Sequence, residues 1–226
     1  VIHFRCEDSV PQIYQWLSGA ERISSDLQSV PVDLAIIMDV SQKSRLGKIV
    51  STIPPTTNVL TIDHHLDEHP DGDYVLANPT ASATGELVAD LFSHMDVAYS
   101  RDAAEALYVA IATDTGGFRF ANTSPHCLRI AADLVQAKID VAGISSRIFE
   151  TIALPKFELL RRALQRMQRQ LDGQVAYTIL TAKDALEANA RSEDYDGLIN
   201  YARNLEGVEL GILFRELDAN SAKVSM

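Results

Sequence analysis

The stretch "NVLTIDHH" (58–65) decides the fold, because a short apolar run ends there on an aspartate and two adjacent histidines. An earlier stretch, "VDLAIIMDV" (32–40), has a similar design, with Asp39 just before its last residue. Continuous apolar runs of this length are typical of strands buried on both faces of a parallel sheet. Ligands bind at the carboxyl ends of the strands in open parallel sheets. The two stretches therefore predict that their polar ends lie on one rim.

Strands and helices follow one another on both sides of these two runs. "DYVLAN" (73–78) has the composition of a third strand, and 43–53 suits a short helix before a proline pair. Apolar residues recur at three- and four-residue spacing in 82–95 and 101–115, which is typical of helices. This order of elements predicts an α/β fold with a parallel, doubly wound sheet.

A second unit is predicted after a long amphipathic helix over 155–171. Pro155 lies in the first turn of this helix and Gly173 follows its end, while its arginines are expected to form a solvated face. The pattern of strand and helix then restarts, with strands at 174–180 and 208–217. The expected parts are a parallel α/β domain (1–154), a linker helix (155–172) and a smaller α/β domain (173–226).

Composition and charge limit the classes of function. The chain has 226 residues, of which 46% are hydrophobic and 23% charged, as in ordinary globular proteins. A formal charge of −11 argues against a general binder of long nucleic acid, although it permits a small anionic substrate. No apolar stretch reaches the roughly 18 residues that a membrane span needs, so no membrane partner is expected. Two distant cysteines without metal-ligand spacing, Cys6 and Cys127, favour a reducing cytoplasm.

The polar residues at the strand ends are candidate metal ligands. Asp39 ends the first run, and Asp63, His64 and His65 end the second. Asp114 stands where an apolar helix gives way to a pair of glycines. A strand-end aspartate alone is more often a turn former, so the combination carries the prediction. Carboxylate and imidazole together suit Mn²⁺, Zn²⁺ or Fe²⁺ better than Ca²⁺.

Four further side chains are candidates for substrate binding. Arg119 and Asn122 follow the glycine pair and can reach a nucleotide, although a structural role explains them equally well. Arg203 and Arg215 lie in the second unit and can bind a terminal phosphate, although solvated ends of a helix or strand explain them too.

Three segments together resemble a known family. "DLAIIMDVSQKSRLG", "TIDHHLDE" and "LYVAIATDTGGFRFANTSP", in this order, resemble the second, third and fourth motifs of the DHH phosphoesterase superfamily. Within it, "FRFANTSP", "FELLRRAL" and "GVELGILFREL" are most similar to the nanoRNase/pAp phosphatase branch, the bifunctional oligoribonucleases. The resemblance runs over essentially the whole chain. It implies a DHH domain, a smaller DHH-associated domain and a site for two Mn²⁺ ions, with Mg²⁺ or another divalent ion as alternatives.

Two parts of the family pattern are not in the sequence. The first motif, a histidine followed by a spaced pair of aspartates, is expected upstream of Val1. The glycine-rich segment that closes the associated domain is expected beyond Met226. Because the chain opens and closes on strand-like runs, we expect both domains to continue past its ends.

The resemblance also implies roles for individual residues. Asp39, His64 and Asp114 match metal ligands, and Asp39 is expected to bridge two ions. His65 is expected to face the scissile phosphate, as an electrostatic clamp or a proton donor. Asp63 is expected to orient the histidines, which is a usual task for a carboxylate beside a metal-bound imidazole.

The implied function is a cytoplasmic, Mn²⁺-dependent phosphoesterase. Its expected activity is hydrolysis of short oligoribonucleotides to mononucleotides, with removal of the 3′-phosphate of pAp as a second activity. The expected partners are short RNAs, pAp and small nucleotides, without long nucleic acid or membrane. A homodimer is left open.

Several alternatives stay open at this point. A cyclic-dinucleotide or pApA phosphodiesterase has the same chemistry. A single-strand exonuclease is disfavoured by size and charge, and a family II inorganic pyrophosphatase by the segments after the long helix. A catalytically inert nucleotide-binding module is permitted by the missing first motif.

Overall fold

The computed structural model describes residues 1–218 and 220–226 and divides into two compact units. Unit 1 comprises Val1–Glu150 and unit 2 comprises Thr151–Met226. Both units combine helices with sheets that contain parallel strand pairs, so the predicted α/β class is confirmed.

Unit 1 places its strands before its main helices. The strands are β1 (Phe4–Arg5), β2 (Ile23–Ser24), β3 (Leu34–Met38), β4 (Asn58–Asp63) and β5 (Tyr74–Ala77). The α-helices are α1 (Thr84–His94), α2 (Arg101–Asp114), α3 (Pro125–Gln136) and α4 (Val141–Ser145). Short 3₁₀ turns lie at Gln12–Tyr14, Ala20–Arg22 and Lys43–Thr52, and a π-helical turn at Ser146–Glu150 follows α4.

The parallel sheet β3-β4-β5 aligns the strand ends that carry the polar residues. Met38 pairs with Ile62, and Asp63 pairs with Ala77. The backbone N–H of Asp39 donates to the carbonyl of Ile62 at 2.9 Å, which extends the β3–β4 ladder by one residue. The predicted rim therefore exists, with the polar end of β3 beside that of β4.

The prediction that β3 is buried on both faces is wrong. Ile37 is buried, but Leu34, Ile36 and Met38 are 45%, 50% and 53% exposed. The strand forms one edge of its sheet, and only alternate side chains meet the core. The central strand β4 is buried as expected, with Val59 and Ile62 each 2% exposed.

The segment predicted as a short helix at 43–53 forms 3₁₀ turns instead. Gly47 interrupts the turns with a φ of +58°, a left-handed conformation that glycine adopts at little cost. The loop 66–72 holds this segment, since Asp71 accepts from the backbone N–H of Lys43 at 2.7 Å.

The helices of unit 1 pack into one main core. Ile111 of α2, Leu134 of α3 and Ile144 of α4 are at most 2% exposed within it. Full burial of such a side chain stabilises the fold by about 1.5–3 kcal/mol. A smaller cluster joins Ile62 of β4 to Leu87 of α1. The first turn of α1 is therefore held beside the end of β4.

Unit 2 is built on a four-stranded mixed sheet. The strands are β6 (Gln168–Gln170), β7 (Val175–Leu180), β8 (Leu210–Asp218) and β9 (Ser221–Ser225), in the order β6-β7-β8-β9. The helices are α5 (Leu154–Gln165), α6 (Ala182–Ala188) and α7 (Ile199–Arg203), with 3₁₀ turns at Leu171–Gly173 and Ser192–Tyr195. The pair β7–β8 is parallel, and both outer pairs are antiparallel. Among the helices of the described residues, none has the length and apolar character needed to cross a membrane.

The helix predicted over 155–171 is shorter than expected, and its arginines are not simply solvated. It ends at Gln165, and Gln168–Gln170 pair with β7 instead. Arg166, just past the helix end, donates to Asp184 at 2.9 Å, and the side chain of Arg162 is only 14% exposed. Pairing with the sheet and with a buried acid overrides the helical periodicity.

Candidate metal centre

Asp39 projects from the end of β3 with an unusual backbone conformation. Its φ is +63°, in the left-handed region that residues other than glycine rarely adopt. Such conformations cost of the order of 1 kcal/mol or more and are frequent at functional sites. The side chain is 56% exposed, and its Oδ1 lies 3.7 Å from Nε2 of His64.

His64 directs one ring nitrogen toward two carboxylates. Its Nδ1 lies 3.3 Å from the carbonyl oxygen of Ala81. A carbonyl oxygen only accepts, so Nδ1 carries the hydrogen in this contact and Nε2 is the nitrogen available to a metal. Nε2 lies 3.7 Å from Oδ1 of Asp39 and 3.4 Å from Oδ2 of Asp114. This tautomer is the one that a metal-binding imidazole needs.

His65 is tied to the buried carboxylate of Asp63. Its Nδ1 lies 2.7 Å from Oδ1 of Asp63, and its backbone N–H donates to the same oxygen at 3.0 Å. Burial alone would raise the pKa of Asp63, but the hydrogen bonds from His65 outweigh it and hold that pKa below its usual range. The other oxygen, Oδ2, is buried without a hydrogen-bond partner among the described residues. Since Nδ1 is engaged, Nε2 of His65 is the nitrogen available to a ligand.

Asp39, His64 and His65 together form a cluster suited to a cation. One potential ligand atom from each of the three lies within 4.8 Å of the others. His65 is thus a member of the cluster, whereas the family resemblance implies that it faces the phosphate. Its role stays a prediction.

Asp114 joins the cluster from the last residue of α2. Partial burial and the nearby charge of Asp39 raise the pKa of Asp114, against the opposing effect of His64 and His65. Two carboxylates that repel each other this way are stabilised by a cation between them. Nε2 of His64 lies beside both carboxylates, at 3.7 Å from Asp39 and 3.4 Å from Asp114. The group whose potential ligand atoms lie mutually within 4.8 Å is Asp39, His64 and His65, so Asp114 borders the cluster through His64.

Two of the candidate substrate-binding residues, Arg119 and Asn122, follow Asp114 closely in the sequence. Asn122 donates its side-chain N–H groups to the backbone carbonyls of Ser82, at 2.9 Å, and Asp114, at 3.1 Å. The side-chain oxygen of Asn122 is therefore the atom proposed to contact a substrate. Arg119 lines a cavity of about 330 Å³ together with the exposed ring of Phe149. Binding of substrate by either residue stays a prediction.

The other two candidates lie in unit 2. The guanidinium of Arg215 stacks on the ring of Tyr195, 3.9 Å from its centroid, and Nη1 donates to Ser192 at 3.0 Å. Arg203 is exposed in the last turn of α7, where the helix backbone packs closely on Gly211. A phosphate-binding role for either arginine stays a prediction.

Sequence reasoning missed the residues that support the cluster from the start of α1. The hydroxyl of Thr84 donates to Oδ1 of Asp39 at 2.7 Å. The carbonyl of Ala81 meets His64, and Ser82 meets Asn122. Small residues before a helix ordinarily indicate only a cap, so their sequence carried no signal of this contact.

Comparison with known proteins first defines the fold. The chain matches the crystal structure of an exopolyphosphatase-related protein from Bacteroides fragilis with a TM-score of 0.88. The match covers 99% of this chain and 69% of that protein at 22% identity. No family model matches the chain.

The relatives found by sequence have more specific names than the structural match. A bifunctional oligoribonuclease and PAP phosphatase NrnA from Thermus thermophilus is 29% identical over 219 residues, which are 96% of this chain and 64% of that protein. The protein of the same name from Bacillus subtilis is 26% identical, over 82% of this chain and 59% of its own length. These homologues confirm the resemblance to the nanoRNase/pAp phosphatase branch. The chain spans less than two thirds of the length of these curated relatives.

Proposed function

We propose that the full-length protein is a divalent-metal-dependent phosphoesterase that hydrolyses short oligoribonucleotides to mononucleotides and removes the 3′-phosphate of pAp. The observation that carries this proposal is the position of Nε2 of His64, which faces the carboxylates of Asp39 and Asp114 at 3.7 and 3.4 Å. The names of the relatives, oligoribonuclease and PAP phosphatase, support the choice of substrates.

Asp39, His64 and Asp114 are the residues proposed to hold the metal. We propose Mn²⁺ as the resident ion, because mixed carboxylate and imidazole ligands suit Mn²⁺ better than Mg²⁺. Two ions per site are proposed from the resemblance to the DHH phosphoesterases. A bound divalent ion supplies positive charge for the phosphate oxygens and lowers the pKa of water. The three side chains supply the geometry that keeps such an ion in place.

His65 and Asp63 are proposed to serve the reacting phosphate. Nδ1 of His65 is engaged by Asp63 at 2.7 Å, so Nε2 is the atom that can meet a phosphate oxygen or protonate the leaving oxygen. The buried carboxylate of Asp63 fixes this orientation and stabilises the ring when it is protonated.

Substrate selection is proposed to rest on four side chains and on charge. Arg119 borders a cavity large enough for part of a nucleotide, and Asn122 lies three residues further along. Arg203 and Arg215 are proposed to bind a terminal phosphate, and both belong to unit 2. We propose residues 1–154 as the metal-binding domain and 173–226 as the substrate-binding domain, with 155–172 as the linking segment, which is helical only to Gln165. The net charge of −11 disfavours long RNA, which needs a basic track.

The test is a substrate panel with the full-length protein and Mn²⁺. We expect cleavage of pApA and of a five-mer RNA, release of phosphate from pAp, and little action on long RNA or pyrophosphate. Asp114→Asn is expected to abolish the activity, whereas Asp102→Asn, the same change in the exposed first turn of α2, keeps it. Hydrolysis of pyrophosphate with intact short RNAs contradicts the proposal. Binding of pApA without any hydrolysis supports an inert nucleotide-binding module instead.

A further inference from the structure

We infer that the segment Ala81–Thr84 positions the candidate metal ligands, and that Thr84 is a positioning residue for Asp39. This inference rests on the metal centre of the proposed function. The ligands come from three elements, since Asp39 follows β3, His64 follows β4 and Asp114 ends α2. Hydrogen bonds connect Asp39 and His64 directly to this segment, and Asn122 connects it to the backbone carbonyl of Asp114.

The contact between Thr84 and Asp39 is the most direct. The hydroxyl of Thr84 donates to Oδ1 of Asp39 at 2.7 Å, and Thr84 itself is only 7% exposed. The aspartate is more than half exposed and could otherwise rotate. A carboxylate offers about four lone-pair sites, so the hydrogen bond leaves both oxygens able to bind an ion. Thr84 therefore fixes the rotamer of Asp39 without using up its capacity as a ligand.

The same segment sets the ring of His64. The carbonyl of Ala81 lies 3.3 Å from Nδ1, which places the hydrogen there and turns Nε2 toward the two carboxylates. Partners of this kind fix the tautomer and orientation of metal-binding histidines. Ala81 is 4% exposed, so the carbonyl is supplied by a packed backbone.

Asp114 is reached through Asn122. The side-chain amide of Asn122 donates to the carbonyl of Ser82 at 2.9 Å and to that of Asp114 at 3.1 Å. The hydroxyl of Ser82 donates in turn to the carbonyl of Asn122 at 2.6 Å. This reciprocal pair ties the end of α2 to the segment before α1.

The segment itself is buried and packed. Ser82 and Ala83 are fully buried, and the backbone N–H of Ser82 donates to the buried carboxylate of Glu86 at 3.0 Å. Leu87 packs on Ile62 in the strand that carries the histidines. Packed supports of this kind are what a metal site needs to keep its ligands in place.

A simple capping role does not account for Thr84. It is the first residue of α1, and the N-cap is Ala83, which makes no side-chain hydrogen bond. The hydroxyl of Thr84 is directed at Asp39, a side chain 45 residues earlier in the chain. Loss of this hydroxyl should therefore affect metal binding more than helix formation.

The test measures Mn²⁺ affinity by isothermal titration calorimetry on the full-length protein, with the melting temperature of the metal-free form as a fold control. Thr84→Val removes the hydroxyl and keeps the shape, and we expect a roughly 10-fold or larger loss of Mn²⁺ affinity. Thr84→Ser keeps the hydroxyl and should bind Mn²⁺ with an affinity close to that of the wild type. Asn122→Ala tests the second link and should also weaken Mn²⁺ binding, with the metal-free melting temperature within a few degrees of wild type.

The outcomes separate this inference from the proposed function. Wild-type protein that binds Mn²⁺ while Thr84→Val binds it equally well overturns the inference alone. Wild-type protein that binds no Mn²⁺ overturns the metal centre and the inference together. If Thr84→Val does not fold, Thr84→Ala takes its place with the same expected loss, and an affinity equal to wild type contradicts the inference there too.

Discussion

Nε2 of His64 lies 3.4 Å from Oδ2 of Asp114, although one residue follows a strand and the other ends a helix. Nδ1 contacts the carbonyl of Ala81, so Nε2 is the ring nitrogen that faces the cluster. The relationship makes His64 the common neighbour of both candidate carboxylate ligands. It also distinguishes His64 from His65, whose Nδ1 is engaged by Asp63.

The two adjacent histidines should respond differently to the same substitution. His64→Ala removes the nitrogen between the two carboxylates and should lower Mn²⁺ content strongly. His65→Ala should keep most of the metal and lower kcat by about 10²-fold or more, the usual effect of losing a general acid. Metal analysis and kcat for pApA, measured on the same preparations, check this. Equal metal loss in the two variants would contradict the assigned roles.

Asp63 should matter for turnover rather than for metal retention. Asp63→Asn keeps the size of the side chain but removes the charge that orients His65, and the related change in a catalytic triad costs about 10⁴-fold in kcat. We expect a loss of at least about 10²-fold in kcat with Mn²⁺ content near wild type. Asp39→Asn is the matched comparison, because it should lose the metal. An Asp63→Asn enzyme with unchanged kcat would show that the pair has no catalytic part.

Arg119 should affect substrate affinity. Arg119→Gln removes a cation from the wall of the 330 Å³ cavity, and charged hydrogen bonds contribute about 1.5–3 kcal/mol. We therefore expect KM for pApA to rise by about 10-fold or more, with Mn²⁺ affinity unchanged. Arg129→Gln removes an equal charge from the exposed face of α3 and serves as the control. A rise in KM of the same size in both variants would point to net charge instead of a specific contact.

Asp184 in unit 2 gives a prediction about stability and pH. Burial alone would raise the pKa of Asp184, but hydrogen bonds from Arg166 and Thr181 lower it from 3.8 to about 2. Between these values the unfolded chain binds the proton more readily than the folded one. The stabilisation is thus fully present above about pH 5 and is lost as the pH falls through about 2, a total of about 2 kcal/mol.

Urea denaturation of wild type and Asp184→Asn from pH 7 to pH 2 measures this effect. The difference in unfolding free energy should be largest near pH 7 and should shrink below about pH 5 as the wild-type carboxylate becomes protonated. Glu187 pairs with Arg162 at 3.3 Å and is more exposed than Asp184. Glu187→Gln should therefore alter stability by less than about 1 kcal/mol. A difference that stays constant across the whole pH range would exclude the carboxylate as its source.

The parallel strands β3, β4 and β5 and the polar residues at the ends of β3 and β4 were accessible from sequence because their signals are local. An apolar run that stops at Asp-His-His predicts a strand and the position of its polar end, and β4 ends at Asp63. Asp114 was accessible because an apolar helix gives way there to two glycines. Parallel pairing then brings such strand ends together without any further information.

What the sequence could not supply depends on contacts between distant residues. The bond from Thr84 to Asp39 joins positions 45 residues apart, and no local pattern encodes it. The end of α5 at Gln165 was missed because pairing with β7 competes with a helical periodicity that continues past it. The exposure of Ile36 was missed because an apolar run does not reveal that its strand lies at a sheet edge.

Diffraction from crystals of the full-length protein grown with Mn²⁺, recorded on both sides of the manganese absorption edge, tests the metal centre most directly. We expect an anomalous peak within roughly 2.3 Å of Nε2 of His64 and of a carboxylate oxygen from each of Asp39 and Asp114. A manganese peak elsewhere, with these three side chains free of it, would contradict the account.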